Sequence, residues 1–396
     1  MSLTRRGLLY GSLGATAAGL MTTPAIAANE PIRFGWLTAL TGPNSAAGIG
    51  FNRAVVYAAN KINANGGING RTIEVITRDT QGDPAKAVNA AVEMASSLKV
   101  HAVFGPTNSG ESLATTPIFA RFKVPSLQVV QLDNLIDPVK YPNAFRFAPN
   151  NSQWDDANRN YCVNILRAKK VAVLGDNTGY GTTAVDVSVA NFKKAGVDVA
   201  YDAVIDANAA DASPYLLHAR DAGADVVVVW SSSTGLDARL MNARGQIGWN
   251  VPLAGHPAMG SGDVARLLEK PSYWEKVFII GYRSCSFDGT GKLPPRTQAF
   301  VEEVKGKVQL ADTTLYWIVS AVDAVHLVAD AVAKTGSSEA DAIIGYWNQL
   351  ANWPGLFGDL TFTPTQHNGY PTNEVVMSLA NSERDGAFTL APGYIA

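Results

Sequence analysis

Apolar runs of strand length alternate with helical patterns along the first part of the chain. Residues 32–37 form an apolar-rich run, and residues 50–65 follow with apolar side chains spaced three and four apart. That spacing gives a helix one apolar face, and Gly66 and Gly67 end the helix. The alternation continues with strands predicted at 72–76, 100–104 and 124–130 and helices at 84–98 and 112–122. This order is typical of parallel βαβ units and predicts a doubly wound sheet.

The same alternation begins again after residue 149. Strands are predicted at 170–174, 197–203, 225–230, 252–255 and 277–282, with helices at 155–167, 182–195, 214–222 and 236–245. Three helical patterns without intervening strands follow at 296–305, 314–334 and 337–350, and they are placed most economically against the first sheet. Short strands at 358–363 and 374–379 end the pattern.

The fold class predicted from this pattern is α/β, with two doubly wound, Rossmann-like lobes joined by a three-crossover hinge. The first lobe comprises residues 29–148 and 285–360, and the second comprises 149–284 and 361–396. Hinges are expected near 146–150, 281–284 and 360–364. The length of 396 residues and the apolar content of 47% agree with two lobes, because one ordinary domain is smaller than this.

Residues 1–28 have the pattern of an export signal. Arg5 and Arg6 precede a short apolar run, and Ala25-Ile26-Ala27 supplies small residues for cleavage. The mature chain is therefore expected in the periplasm. Adjacent arginines before two leucines resemble a twin-arginine signal, with the general secretory route as the alternative. No cysteine lies near the cleavage position, so a lipoprotein is not expected.

The net charge limits the expected partners, and the cysteine content limits the expected disulfides. A net charge of −2 leaves no basic surplus for phosphates, so nucleic acid is not an expected partner. Cys162 and Cys285 are the two cysteines. Buried free thiols are the favoured interpretation, and a disulfide bond formed in an oxidising compartment is the alternative.

Two glycine-rich loops follow predicted strands and are candidate ligand sites. Asn108, Ser109 and Gly110 follow the strand at 100–104, and Tyr180 lies between two glycines after the strand at 170–174. Ligands of open parallel sheets bind beyond the carboxyl ends of strands, where helix starts present free N–H groups. The Ser109 hydroxyl suits a carboxylate. The alternatives are an ordinary capping loop for Ser109 and a packed aromatic ring for Tyr180.

Three motifs in sequence order carry a resemblance to a known family. They are Leu37-Thr38-Ala39-Leu40-Thr41-Gly42-Pro43, Ala59-Asn60-Lys61-Ile62-Asn63-Ala64-Asn65-Gly66-Gly67-Ile68-Asn69-Gly70-Arg71 and Arg78-Asp79-Thr80-Gln81-Gly82-Asp83-Pro84. Their order and spacing are similar to the N-terminal lobe of Leu/Ile/Val-binding proteins, which are type I periplasmic solute-binding proteins of ABC importers. The resemblance implies a hinged, monomeric clamp that closes on a small ligand and delivers it to ABC permease subunits in the inner membrane without transforming it.

Other site residues are carried over by position in the family. Gln131 and Asp133 follow a first-lobe strand, and Ser232 and Ser233 follow the strand that ends at Trp230. His256 stands where amino-acid-binding relatives carry an acidic residue for the α-ammonium group.

These departures from the family pattern suggest a ligand with a carboxylate and no amino group, such as an aromatic or keto acid. Ala47 stands where a bulky residue narrows the pocket in some relatives, and Arg283 is predicted to be an added counter-ion near the hinge. A solvated hinge charge is the alternative for Arg283. An amino acid ligand returns to favour if Asp133 points into the cleft.

Enzyme motifs are missing from the sequence. No dinucleotide-binding or Walker-type glycine motif, no serine elbow and no closely spaced His or Cys pair occurs, so no catalytic residue, metal or cofactor is expected. Two functional alternatives to import stay open at this point. One is a sensor that reports the ligand to a membrane receptor or regulator, and the other is a periplasmic enzyme that uses the cleft.

Overall fold

The computed structural model of the chain describes residues 30–42, 45–311 and 313–394. The predicted export signal lies outside the described residues. Five parallel strands form the first sheet, in the order β2-β1-β3-β4-β5. The elements of this part of the chain are β1 (Ile32–Thr38), α1 (Ser45–Ala64), β2 (Ile73–Asp79), α2 (Pro84–Val92), β3 (Ala102–Phe104), α3 (Ser109–Arg121), β4 (Ser126–Gln128) and β5 (Ala144–Arg146).

A second sheet follows in the next part of the chain. Its elements are α4 (Asn151–Asn164), β6 (Lys170–Asp176), α5 (Gly179–Lys194), β7 (Asp198–Ile205), α6 (Ser213–Asp221), β8 (Val226–Trp230), α7 (Thr234–Gln246), β9 (Leu253–Gly255), α8 (Gly262–Leu267) and β10 (Val277–Tyr282). All five residues of β8 are buried. A continuous apolar strand such as β8 is expected where helices cover both faces of a parallel sheet.

The remaining elements belong to both halves of the molecule. They are β11 (Ser286–Phe287), α9 (Pro295–Val304), α10 (Leu315–Thr335), α11 (Ala340–Trp347), β12 (Trp353–Pro354), β13 (Asp359–Leu360), β14 (Val375–Leu379) and β15 (Phe388–Thr389). Helix α10 packs along α1, and β14 joins the second sheet antiparallel to β10. The second sheet therefore has six strands, in the order β14-β10-β9-β8-β6-β7.

The predicted α/β fold with two doubly wound lobes is confirmed. We call the five-stranded sheet with its helices the first lobe and the six-stranded sheet with its helices the second lobe. The chain passes between them after β5, after β10 and between β13 and β14. The exact lobe boundaries stay predictions. Strand β5 was not predicted, because Arg146 interrupts the short apolar run in which it lies.

Helix α10 is long and apolar enough to cross a membrane by length and composition, but 89% of its most apolar window is buried within the fold. It is a core helix, since its apolar surface is already covered by the protein. Cys162 and Cys285 are both buried free thiols. Burial raises the pKa of each thiol, which keeps both protonated and unreactive.

Candidate functional site

A cavity lies between the carboxyl ends of strands from both sheets. About 550 Å³ of space not filled by protein atoms lies in this cavity and at its opening to solvent. Its lining comprises Ala47, Phe51, Thr107, Asn108, Ser109, Val129, Gln131, Tyr180, Ser232, His256, Tyr316 and Trp317. Eight of these twelve residues lie shortly after the carboxyl end of a strand, two belong to α1 and two belong to the first turn of α10. This is the position at which open α/β sheets bind ligands.

The first-lobe wall of the cavity is built around the start of α3. Gly105 directly follows β3 and has a positive φ, and a Cβ there would collide with the Leu37 carbonyl oxygen. Asn108 caps the helix by accepting a hydrogen bond from the Gly110 N–H at 2.9 Å. The helix begins at Ser109, three residues earlier than predicted. Ser109 therefore lies at a helix N-terminus, where partial positive charge favours an anion.

The second-lobe wall is organised by the buried carboxylate of Asp176, at the end of β6. Its Oδ1 accepts from the Thr178 N–H at 3.0 Å, and its Oδ2 accepts from the Ser232 N–H at 2.8 Å. Thr178 in turn caps α5, because its hydroxyl accepts from the Gly181 N–H at 3.2 Å. One carboxylate thus fixes the two loops that carry Ser232 and Tyr180. Its hydrogen-bonding capacity is used within the protein.

The two walls touch where α3 and α5 begin. A Cβ added to Gly179 would lie 2.8 Å from the Gly110 Cα and 2.9 Å from the Gly110 nitrogen. Only glycine fits at so short a separation between two backbones. The N-termini of one helix from each lobe therefore converge on the cavity, and the lobes stand in a closed arrangement.

Aromatic side chains from both lobes border the cavity. Phe51, Tyr316 and Trp317 come from α1 and α10, with the Phe51 and Trp317 ring centroids 6.3 Å apart. Tyr180 and His256 come from the second lobe, and their rings lie 5.2 Å apart. Trp154 packs behind both second-lobe rings. A flat apolar group between these surfaces would contact rings on either side.

The polar groups that line the cavity are uncharged. The Ser109 Oγ and the Tyr180 hydroxyl are buried and have no hydrogen-bond partner among the described residues. Burial raises the pKa of Tyr180 well above its usual value, so its hydroxyl stays protonated. Burial also lowers the pKa of His256 to about 3, so its ring is neutral. No Asp, Glu, Lys or Arg occurs among the lining residues in the described part of the chain.

Gln131 lines the cavity and connects it to the chain crossings. The Asn151 N–H donates to the Gln131 carbonyl at 2.6 Å, where the chain enters the second lobe. The fully buried Arg146 guanidinium donates to the Val130 and Leu132 carbonyls on either side of Gln131, at 3.2 and 2.7 Å. The Arg146 Nε also donates to the Asn368 side chain at 2.9 Å, in the segment that leads to β14.

Six of the ten predicted ligand residues lie at the cavity: Asn108, Ser109, Gln131, Tyr180, Ser232 and His256. Gly110 lies beside it at the contact with Gly179. The structure places the remaining three, Asp133, Ser233 and Arg283, outside the lining. The binding role of all ten stays a prediction.

Each of the three residues outside the lining has another contact. The Asp133 carboxylate accepts from the Ser152 N–H at 3.2 Å and from its hydroxyl at 3.0 Å, at the start of α4. Ser233 caps α7. Arg283 is exposed in a separate groove, and its Nε donates to the Asn373 carbonyl at 3.3 Å.

Five lining residues were not predicted from the sequence: Phe51, Thr107, Val129, Tyr316 and Trp317. Phe51 belongs to the apolar face predicted for α1, and that pattern is the same for a core residue and a pocket residue. Tyr316 and Trp317 lie far along the chain from the other lining residues. For these two residues the sequence predicted only that a helix begins near residue 314.

Comparisons with known proteins agree with this geometry. A family model described as periplasmic binding protein matches residues 31–385. An amino acid binding protein of Pseudomonas aeruginosa is 28% identical over 226 residues, which are 57% of this chain and 59% of the relative. Leu/Ile/Val-binding protein homolog 7 of Brucella abortus is 27% identical over 233 residues, 56% of each chain. The chain spans a little over half the length of these curated relatives.

A solved structure shows the same fold. The branched-chain amino acid transporter substrate binding protein LivJ of Streptococcus pneumoniae, in complex with isoleucine, has a TM-score of 0.78 and 22% identity, and the match covers 91% of this chain and 99% of LivJ. The fold and the interlobe cavity define a type I binding protein with two lobes. The chain belongs to the periplasmic binding protein family, and its predicted resemblance to the Leu/Ile/Val-binding branch is confirmed.

Proposed function

We propose that the protein is the extracytoplasmic solute-binding component of an ABC importer. In this proposal it captures a small carboxylate-bearing ligand between its lobes and delivers the ligand to the permease in the inner membrane. The export signal predicted at the start of the chain supports a periplasmic location. Names of relatives support amino acid transport as the general context, since they include an amino acid binding protein and a branched-chain amino acid transporter component.

The main support for the proposal is the closed cavity, which has the N-terminus of a helix from each lobe at its edge. Helices α3 and α5 begin at its edge, and Ser109 supplies a buried hydroxyl. A carboxylate placed there would receive hydrogen bonds from neutral donors and favourable interaction with two helix dipoles. The lobes must separate to admit the ligand, and closure creates contacts that the open form lacks.

The ligand class follows from what the lining offers. Burying an unpaired ammonium group is costly, and the described lining contains no carboxylate to pair with one. The aromatic side chains of both lobes favour a flat or branched apolar part. We therefore propose an aromatic or keto acid, or a related small organic acid, rather than an ordinary amino acid.

A thermal-shift screen with the purified protein tests this proposal. The panel contains aromatic acids, 2-oxo acids and the twenty amino acids, and each hit is followed by calorimetric titration. A ligand present at 100 times its Kd stabilises the folded state by about 2.7 kcal/mol, which raises the midpoint by several degrees. Deletion of the gene should abolish uptake of the ligand found. The proposal fails if no carboxylate binds, or if uptake of the bound compound is unchanged in the deletion strain.

A further inference from the structure

The hydrogen bond at Nδ1 fixes the tautomer of His256. This residue follows β9, and its Nδ1 accepts a hydrogen bond from the Ala258 N–H at 3.0 Å. A backbone N–H is only a donor, so Nδ1 must be unprotonated. A neutral imidazole carries one proton, and that proton is therefore on Nε2.

The surroundings of His256 keep the ring neutral. It is buried, with 6% of its surface exposed. Its ring centroid lies 5.2 Å from that of Trp154, edge-on, and 5.2 Å from that of Tyr180, at a tilted angle. Burial lowers its pKa to about 3. Over the pH range of the periplasm, the ring therefore has the same charge and the same tautomer.

His256 lines the cavity, and Nε2 is the ring nitrogen that remains for the cavity after Nδ1 is used. Nε2 has no hydrogen-bond partner among the described residues. Tyr180, next to His256, adds a protonated hydroxyl, which is a further donor. The second-lobe wall thus offers N–H and O–H donors at the position where a ligand would meet it.

We propose that His256 is the residue that selects 2-oxo acids over 2-amino acids, by donating a hydrogen bond from Nε2 to the carbonyl oxygen beside the ligand carboxylate. This inference rests on the proposed function, because it requires that the ligand carboxylate is held at the start of α3. The start of α5, which carries Tyr180, touches the start of α3 through Gly179 and Gly110. A ligand group held at the first-lobe wall and a ligand group held at the second-lobe wall are therefore close enough to be adjacent groups of one small molecule.

The selectivity has a simple physical origin. A carbonyl oxygen accepts a hydrogen bond from Nε2, whereas an ammonium group has donors only and would face another donor. The ammonium would also lose its hydration on entering a lining that has no described carboxylate. Leaving a buried donor and a buried ammonium without partners should cost the amino acid at least about tenfold in affinity relative to its oxo analogue.

Two pairs of compounds isolate this effect, because each pair differs only in the group at carbon 2. They are phenylpyruvate with phenylalanine, and 4-methyl-2-oxopentanoate with leucine. Calorimetric titration of the unaltered protein should give the oxo acid of at least one pair an affinity about tenfold or more above that of the amino acid. His256→Gln keeps an N–H donor and should keep the order of preference. His256→Glu replaces the donor by a carboxylate and should reverse that order.

His218→Gln is the matched control, since His218 is an exposed residue of α6 and is not among the cavity-lining residues. It should leave both affinities within about twofold. A melting curve of each variant confirms folding. If His256→Glu does not fold, His256→Phe, which removes the donor without adding a charge, decides the question: it should lose the preference for the oxo acid, and an unchanged preference refutes the role of His256.

The outcomes separate this inference from the proposed function. If both members of a pair bind and the amino acid binds as tightly as the oxo acid, the role of His256 is refuted while carboxylate capture stands. Folded His256→Glu with unchanged preference also refutes it. If no carboxylate of any kind binds, the proposed function itself fails, and this inference fails with it.

Discussion

Replacing Gly179 by alanine introduces a methyl group at the point where the two lobes meet. The added carbon would lie 2.8 Å from the Gly110 Cα and 2.9 Å from the Gly110 nitrogen, which are both backbone atoms of the opposite lobe. Neither can rotate away, so the lobes must move apart by several tenths of an ångström. The clash arises only in the closed arrangement, because the open form separates the two helix starts.

The expected cost of this overpacking is about 1–3 kcal/mol, which corresponds to a roughly five- to 150-fold weaker affinity for ligand. Gly110→Ala should have a smaller effect, since its added carbon would be 3.6 Å from the Gly179 Cα. Gly345→Ala in α11 is the control, because its added carbon has nothing within 4 Å and the change favours the helix.

Calorimetric titration measures the affinity of each variant, and small-angle scattering with and without ligand measures the closure. We expect Gly179→Ala to bind more weakly than Gly110→Ala, with a normal melting midpoint in the absence of ligand. Unchanged affinity in a folded Gly179→Ala protein would refute the inference that α3 and α5 meet in the ligand-bound state.

Three other predictions follow from the side-chain contacts. Ser109→Ala should weaken ligand binding about tenfold or more, because it removes a hydroxyl that donates to a charged group, and Tyr180→Phe should weaken it by a smaller factor. Calorimetric titration measures both affinities. Unchanged affinity in both variants would place the site elsewhere. Asp133→Ala should lower the free energy of unfolding by about 1 kcal/mol, because Ser152 at the start of α4 loses its acceptor. The Kd for the ligand should stay within about twofold. A large change in this Kd without loss of stability would return Asp133 to the site. Burial raises the pKa of Glu111 to about 7, so the folded state holds its proton more tightly than the unfolded state, and the stability from this group is lost as pH rises from about 4.5 through 7. Glu111→Gln should therefore gain stability over the unaltered protein by at most about 3 kcal/mol at pH 8 and by about 1 kcal/mol or less at pH 5 in urea titrations. An equal difference at both pH values would contradict this.

The candidate site was predictable from the sequence where its position depends on local features. Ser109 and Tyr180 each follow an apolar strand through a glycine-containing loop, and the carboxyl ends of parallel strands are a ligand-binding edge in any fold of this class. Their place at the cavity could thus be predicted without knowing how the lobes meet. His256 was predicted by position in the family, and the structure adds the tautomer, because the Ala258 N–H at Nδ1 depends on a tight turn after β9.

Other residues could not be assigned from their neighbours in sequence. Asp133 was predicted to face the ligand, but its carboxylate bonds to Ser152, which belongs to a helix of the other lobe. Arg283 lies near the hinge in sequence and yet lines a different groove. In both cases the direction of a flexible polar side chain is decided by partners that the chain brings near only after folding.

The sequence by itself determined the alternation of strands and helices, the two mainly parallel sheets and the loops that end their strands, because hydrophobic periodicity and turn residues act over short stretches of chain. Only the tertiary structure decided that Tyr316 and Trp317 complete the cavity and that Gly110 meets Gly179 across it. These contacts join residues from distant parts of the chain, and their formation depends on the angle between two packed lobes, which no local pattern encodes.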